Sequence, residues 1–341
     1  EPQVHGHISH PPDYLADTIK FIQKDVRDEK FLFEAIEDID IIFHLAAMVG
    51  VGQSMYQIDK YVDVNVLGTA RLLDILVNKP NNVKKLIMAS SMSTYGEGKY
   101  TCEDCGDVSP SLRDVKQLEK SDWELDCPLC GKKVKPVPTD ENKPQECTSI
   151  YALTKKEQEK MCMLIGETYG IDTTALRLFN VYGSRQALSN PYTGVCAIFS
   201  TSFLCGNPPI IFEDGNQTRD FVHIEDICQA FILSMEKSLA KGEVFNVGTG
   251  IPTSIKEVAN ILSNYINPQI KPIITNKFRP GDIRHCFSDI TKITSQLKFN
   301  PKYKFEDGIR EVIEWVKLQE GKIEDKSLNA MNELKDKGLL Q

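Results

Sequence analysis

The sequence has no run of about 18 apolar residues, the length a helix needs to cross a bilayer. It does not open with a basic stretch followed by an apolar one, as a secretory leader would. The expectation is therefore a cytoplasmic protein without a membrane role. Basic charge is not in excess: 40 Lys and Arg stand against 48 Asp and Glu, a net charge of −8. That argues against general nucleic-acid binding, because a phosphate backbone needs a basic face. The opening, Glu1-Pro2-Gln3-Val4-His5-Gly6, has no glycine-rich turn. His5, His7 and His10 near it are expected in a polar surface loop.

What is present is an ordinary globular composition, 41% hydrophobic and 26% charged, so disorder is not expected. The 341 residues suffice for one large α/β domain or two unequal ones. Residues 19–24 read as a short strand and 28–37 as a helix. Residues 39–47 and 84–91 are apolar runs of the kind buried parallel strands show. Long helices are expected at 54–78 and 151–169, and a strand at 173–178. Alternating strands and helices imply βαβ units and a parallel sheet. After residue 183 the alternation loosens. Short strands near 209–213 and 244–247 and helices near 225–238 and 254–264 suggest a smaller lobe. The expected division is 1–98 with 149–183, an insertion at 99–148, a lobe at 184–321 and a charged tail at 322–341, helical or loosely attached.

Ten cysteines fit a reducing compartment better as metal ligands than as disulfides, because four of them are paired. Cys102-x-x-Cys105 and Cys127-x-x-Cys130 are each followed by a glycine, Gly106 and Gly131. Two such knuckles at this spacing predict a zinc ribbon, structural because four thiolates close the metal's coordination shell. Free thiols in a loop are the plainer alternative. Cys147, Cys162, Cys196, Cys205, Cys228 and Cys286 lack partners in sequence and are expected to pack in the core.

Tyr151 and Lys155 lie four apart, on one face of the expected helix. An ammonium beside a phenol can pull its pKa below the usual ~10 and make it a general base. Alone, this spacing is a common surface pair. Ser90 and Ser91, however, close an apolar strand, and ligands of open α/β sheets gather at strand C-termini. Ser91 could hold the oxygen that Tyr151 deprotonates; otherwise it simply begins a turn.

In this order and setting Ser91, Tyr151 and Lys155 resemble the catalytic triad of the extended short-chain dehydrogenases/reductases, the NAD-dependent epimerase/dehydratase family. The resemblance runs along almost the whole chain. Asp25 and Val26 resemble the pair that contacts adenine, and Leu45, Ala46 and Ala47 after His44 resemble the strand end beneath the cofactor diphosphate. Asn65 matches the asparagine near nicotinamide, and Phe179 a residue bordering NAD. Asn180 matches one that reaches the substrate diphosphate. Arg219 and the Arg279-Pro280-Gly281-Asp282 segment resemble two arginine-bearing stretches that grip it. Ser93, beside Ser91, is expected at the sugar. The resemblance implies a Rossmann-like doubly wound sheet, bound NAD, a nucleoside-diphosphate sugar substrate and a homodimer paired through the helices at 54–78 and 151–169. A complete member opens with a strand, a glycine-rich turn, a helix and a second strand. The chain is expected to begin after these, without the main diphosphate cradle.

The implied chemistry is 4-epimerisation through a transient 4-keto sugar. The family's 4,6-dehydratases carry an Asp-Glu pair after the catalytic Ser/Thr, whereas Met92 and Ser93 stand here. Decarboxylation and one-way oxidoreduction stay open. Within the family the opening, the cysteine insert and residues 185–194 most resemble the 4-epimerases of dTDP-L-rhamnose. A non-catalytic nucleotide-binding regulatory protein is the reading of another class, and an intact Ser91, Tyr151 and Lys155 argue against it. The ribbon could also recruit a partner protein or RNA. Its Lys132, Lys133 and Lys135 are offset by Asp104, Asp107, Glu119 and Asp126, so no basic patch results.

Overall fold

A computed structural model describes residues 11–12, 14–188, 190, 194–321 and 323–340. The Pro2-Gln3-Val4-His5-Gly6 opening and the histidines His5, His7 and His10 lie outside them.

Among the described residues the central sheet has four parallel strands in the order β1 (Ile41–His44), β2 (Lys85–Ser91), β3 (Asp172–Leu178) and β4 (Val244–Val247). Side chains alternate across it, as the two-residue period of a strand requires. Leu86 and Met88 face a layer built from Leu32, Ile36, Leu72, Leu76 and Cys162. Ile87 faces the other way, toward Leu176, Phe245, Ile227 and Leu297. The first layer comprises α1 (Glu29–Ile36), α2 (Gly68–Asn78) and α3 (Ile150–Tyr169). The second includes α4 (Ile224–Glu236). Helices on both faces of a parallel sheet make the doubly wound arrangement that the apolar runs imply.

Capping marks the helix starts. Asp28 accepts a hydrogen bond from the Phe31 amide and Ser149 one from the Ala152 amide, each satisfying a donor that has no partner within the helix. A second core, around Phe199, Phe203, Val258, Leu262, Ile309 and Ile313, holds the C-terminal lobe together.

Several expectations need correction. Residues 19–24 form no strand; Ile19, Phe21 and Ile22 are exposed and no ladder partner accompanies them among the described residues. The run at 39–47 yields only the four residues of β1, with Phe43 exposed at the sheet edge. The helix expected at 54–78 starts at Ile58 and runs without a break to Asn78, with a π-helical stretch inside it. A separate short turn at Val51–Ser54 precedes it, and the π-helical stretch is Val62–Leu67, just before α2. Residues 244–247 belong to the central sheet rather than to strands of the lobe. The tail contains a helix, Ser327–Asp336, docked through buried Ala330 and Leu334. Cys205 and Cys228 are exposed and do not pack, one capping a helix end and the other on the outer side of α4.

Candidate active site and cysteine cluster

β2 ends at Ser91, which caps a single 3-10 turn, Met92–Tyr95, by accepting from the Ser93 amide at 3.2 Å. The Ser93 hydroxyl also donates to Ser91 Oγ, at 2.9 Å. The turn role and the proximity to Tyr151 therefore coexist. The Tyr151 phenol is buried beside Ser91. Burial raises its pKa and the neighbouring Ser91 hydroxyl opposes that rise. The depression by Lys155 that the four-residue spacing suggests is absent, because the ammonium turns the other way.

Lys155 Nζ donates to Gln158 Oε1 at 2.7 Å, and Gln158 Nε2 donates to Thr69 Oγ1 at 2.7 Å. Thr69 spends its own proton on the Asn65 carbonyl, at 2.6 Å. His44 Nε2, 2.8 Å from Thr69 Oγ1, must then be the donor in that contact, which fixes the neutral tautomer. Burial lowers Lys155 to about 8, so it is still cationic at neutral pH. Burial first, and the Lys155 charge second, lower His44 to about 4.

This has a consequence for stability. The folded imidazole titrates near 4 and the unfolded one near 6.5, so the unfolded chain binds the proton first. Stability from His44 is complete above pH 6.5 and is lost as pH falls toward 4, by at most about 3 kcal/mol. Denaturant midpoints should fall between pH 6.5 and 4.5, and His44→Gln should flatten that slope. An equally steep slope in the variant would remove His44 as its source.

Asn65 explains the π turn. Its side chain accepts from the Met48 amide at 2.7 Å and donates to the Met48 carbonyl at 3.1 Å and to Thr154 Oγ1 at 2.9 Å. The widened backbone turn presents this residue between two elements, a use π turns often have. Sequence reasoning missed Gln158 and Glu159. The i, i+4, i+8 series Tyr151, Lys155, Glu159 was the available signal. Glu159 receives Ser90 Oγ at 2.7 Å and Arg177 at 2.9 and 2.7 Å, a buried ion pair directly behind the Ser90-Ser91 strand end.

The other expected residues fall in three places. Leu45 and Ala46 are exposed just past β1, with Ala47 half-buried. Asp25 pairs with Arg27, which holds its carboxyl down at about 2, and Val26 packs against Gly68. Phe179 is buried past β3. The side-chain oxygen of Asn180 beside it is buried without a hydrogen-bond partner among the described residues. Arg219 donates to the carbonyls of Thr218, Ile283 and Arg284. Arg279 pairs with Asp282 at 2.7 Å and stacks over Phe212. Gly281 runs past the Thr148 carbonyl, three residues before Tyr151. The arginine-bearing stretches thus meet around residues 282–284, next to the start of α3.

In the insert, the strands Lys99–Cys102, Gly106–Val108 and Lys135–Val137 form a small antiparallel sheet. The sulfurs of Cys102, Cys105, Cys127 and Cys130 all lie within 4.8 Å of one another. The Cys102–Cys130 sulfur separation of 3.5 Å is too long for a disulfide and suits two ligands on one tetrahedral ion. Gly106 and Gly131 have φ of +73° and +75°, the left-handed turn each knuckle needs. The cluster can hold a metal ion.

Comparison with known proteins agrees with this fold. A dTDP-L-rhamnose 4-epimerase from Burkholderia thailandensis is 34% identical over 318 residues, 92% of this chain and 85% of that protein. The crystal structure of UDP-glucose 4-epimerase with UDP-glucose from Thermotoga maritima superposes with a TM-score of 0.72 at 28% identity, covering 91% of this chain and 88% of that one. UDP-glucuronic acid 4-epimerase from Bacillus cereus, in complex with UDP-glucuronic acid and NAD, gives a TM-score of 0.71 at 25% identity, covering 89% and 83%. The family described as GDP-mannose 4,6 dehydratase matches residues 3–104 and 131–312 and skips 105–130, which contains the whole stretch between the two cysteine pairs. The chain is therefore a member of that family, in the NAD-dependent epimerase/dehydratase branch of the short-chain dehydrogenases/reductases, with a cysteine-bearing segment added to the family's plan.

Proposed function

We propose that the protein is an NAD-dependent 4-epimerase of a nucleoside-diphosphate sugar, with dTDP-L-rhamnose or a close analogue as its substrate. The observation that carries this is the pairing of Ser91 with the Tyr151 phenol at the end of β2, with Met92 and Ser93 where a dehydratase needs carboxylates. Tyr151 takes the proton of the sugar 4-hydroxyl, and Ser91 holds that oxygen, with Ser93 steadying Ser91. Lys155, cationic at neutral pH, favours the phenolate once it swings from Gln158 toward the phenol and the cofactor ribose. The chemistry that bound NAD would supply is reversible hydride acceptance from C4.

The residues suit the cofactor. The shelf after β1 has the small side chains of Ala46 and Ala47 where a diphosphate must approach backbone, with Leu45 exposed beside them. Asp25 and Val26 mark the adenine end, and Asn65 and Phe179 the nicotinamide end. Asn180, through its amide NH2, and Arg219, Arg279 and Asp282 bind the substrate diphosphate side. A planar guanidinium can bind phosphate oxygens bidentately. Cys102, Cys105, Cys127 and Cys130 hold a structural zinc, which suits a reducing, cytoplasmic setting. Residues 1–98 and 149–183 carry the cofactor, and 184–321 mainly the substrate.

The test is incubation with NAD and a panel of dTDP- and UDP-sugars in deuterated water, followed by proton NMR. A C4 epimer without deuterium on carbon supports internal hydride return. Loss of water, or deuterium at C5, would mean dehydration or enolisation instead.

The protein is further proposed to be a homodimer. Val51, Met55, Ile58, Val62 and Leu67 before α2, and Leu153 and Leu164 on α3, are large apolar side chains left exposed. Ile58→Asp should shift the sedimentation coefficient from dimer to monomer; a wild-type monomer at micromolar concentration ends this proposal.

A further inference from the structure

Residues 113–124 lie between the two cysteine pairs, inside the stretch that the family's plan lacks. Asp122 and the Glu124 carbonyl hold Lys133 beside the second knuckle, and the other long-range contacts run to the arginine-bearing segments. The guanidinium of Arg113, 2% exposed, forms a fork with Glu213 at 2.9 Å on both nitrogens. It also donates to the Asp282 carbonyl at 3.0 Å. Glu124 receives Arg284 at 2.6 and 3.0 Å and faces His285 Nε2 at 3.2 Å. Arg284, 1% exposed, continues to Glu213 at 2.9 Å and to Asp214 at 2.7 and 3.0 Å. Trp123 packs on Phe278, with ring centroids 6.5 Å apart.

Two insert residues therefore clamp residues 213–214 to residues 282–285. Arg219 follows the first of these and hangs its guanidinium on the carbonyls of Ile283 and Arg284. Arg279 precedes the second and is held by Asp282. Glu213 has a φ of +54°, a left-handed backbone in a residue with a side chain, held in place by the two buried arginines. Burying several charges is a poor route to stability, because desolvation offsets the attraction. It is an effective way to fix one geometry, since each guanidinium donates to its carboxylate in only a few orientations.

We propose that Arg113 and Glu124 are positioning residues for nucleotide recognition. Acting from the insert through Glu213 and Arg284, they set the spacing of Arg219 and Arg279. The inference rests on the reading of Arg219 and Arg279 as the diphosphate grip. The ligand class is a nucleoside diphosphate, and the part of the substrate affected is the nucleotide, away from the reacting C4.

The test measures dTDP and UDP binding to the intact protein by calorimetry, for wild type, Arg113→Lys, Glu124→Gln and Arg279→Ala. Arg113→Lys and Glu124→Gln should each weaken binding of the preferred nucleotide on the order of tenfold. With the sugar substrate, KM should rise by a similar factor and kcat should hold. Folded variants with lower melting temperatures but wild-type nucleotide affinity would overturn the inference and leave the clamp a purely structural device. If Arg279→Ala loses affinity while the other two do not, only this inference fails. If Arg279→Ala also binds normally, or the wild type binds neither nucleotide, the diphosphate reading fails first. Should Arg113→Lys not fold, Glu124→Gln decides alone, since that carboxylate is partly exposed and its loss leaves Arg284 paired with Glu213 and Asp214.

Discussion

Tyr151→Phe is expected to lower kcat by about 10²–10⁴-fold, the range that a positioned general base contributes. It should leave nucleotide-sugar affinity and melting temperature nearly unchanged. The ring is buried among Met48 and Tyr61, and phenylalanine keeps that packing. Only the hydroxyl, which lies beside Ser91, is removed. Single-turnover formation of reduced cofactor should slow by the same factor as kcat. A variant that retained more than a tenth of wild-type turnover would mean that another group takes the proton, and Ser91 with its Ser93 partner would be next to examine.

The second large effect concerns the insert. Purified protein should carry one zinc per chain by elemental analysis, and Cys127→Ser should lose most of it. Binding of structural zinc by four thiolates supplies about 10 kcal/mol or more in comparable small domains. The insert's own core is small, comprising Tyr100, Val108, Leu125 and Val134 beside the cysteines themselves. Without the metal, cleavage by a protease should concentrate between residues 99 and 148 while the central sheet survives. Metal content below a tenth per chain in active, protease-resistant protein would refute the zinc assignment. Four reduced thiols would then have to hold the turn by packing alone.

What was legible in the sequence follows from how local each signal is. α3 begins at a capping serine and carries Tyr151 and Lys155 four apart, so its start and its useful face could be read directly. β2 and β3 are central strands, buried on both faces, and show as apolar runs. The cysteine knuckles are local by construction. The failures are those of tertiary origin. Residues 54–78 look like one regular amphipathic helix, and only the bonding of Asn65 to Met48 and Thr154 shows why a π-helical stretch lies inside it. β4 is too short to announce which sheet it joins. The Arg113–Glu213 and Arg284–Glu124 pairs span 100 and 160 positions, and no spacing rule reaches that far. Lys155 also turned from the expected partner to Gln158, a choice between two hydrogen bonds that sequence spacing does not decide.

The packing of Trp123 on Phe278 has a practical corollary. The chain contains only two tryptophans, and the other, Trp315, lies in the helix Phe305–Lys317 of the C-terminal lobe. Replacing Trp315 with phenylalanine would leave a single indole, buried at the seam between the added segment and the segment that carries Arg279. Its emission would report by colour and intensity whether that seam is closed. Water reaching the ring shifts the light to longer wavelength, so the protein carries its own optical gauge of this junction.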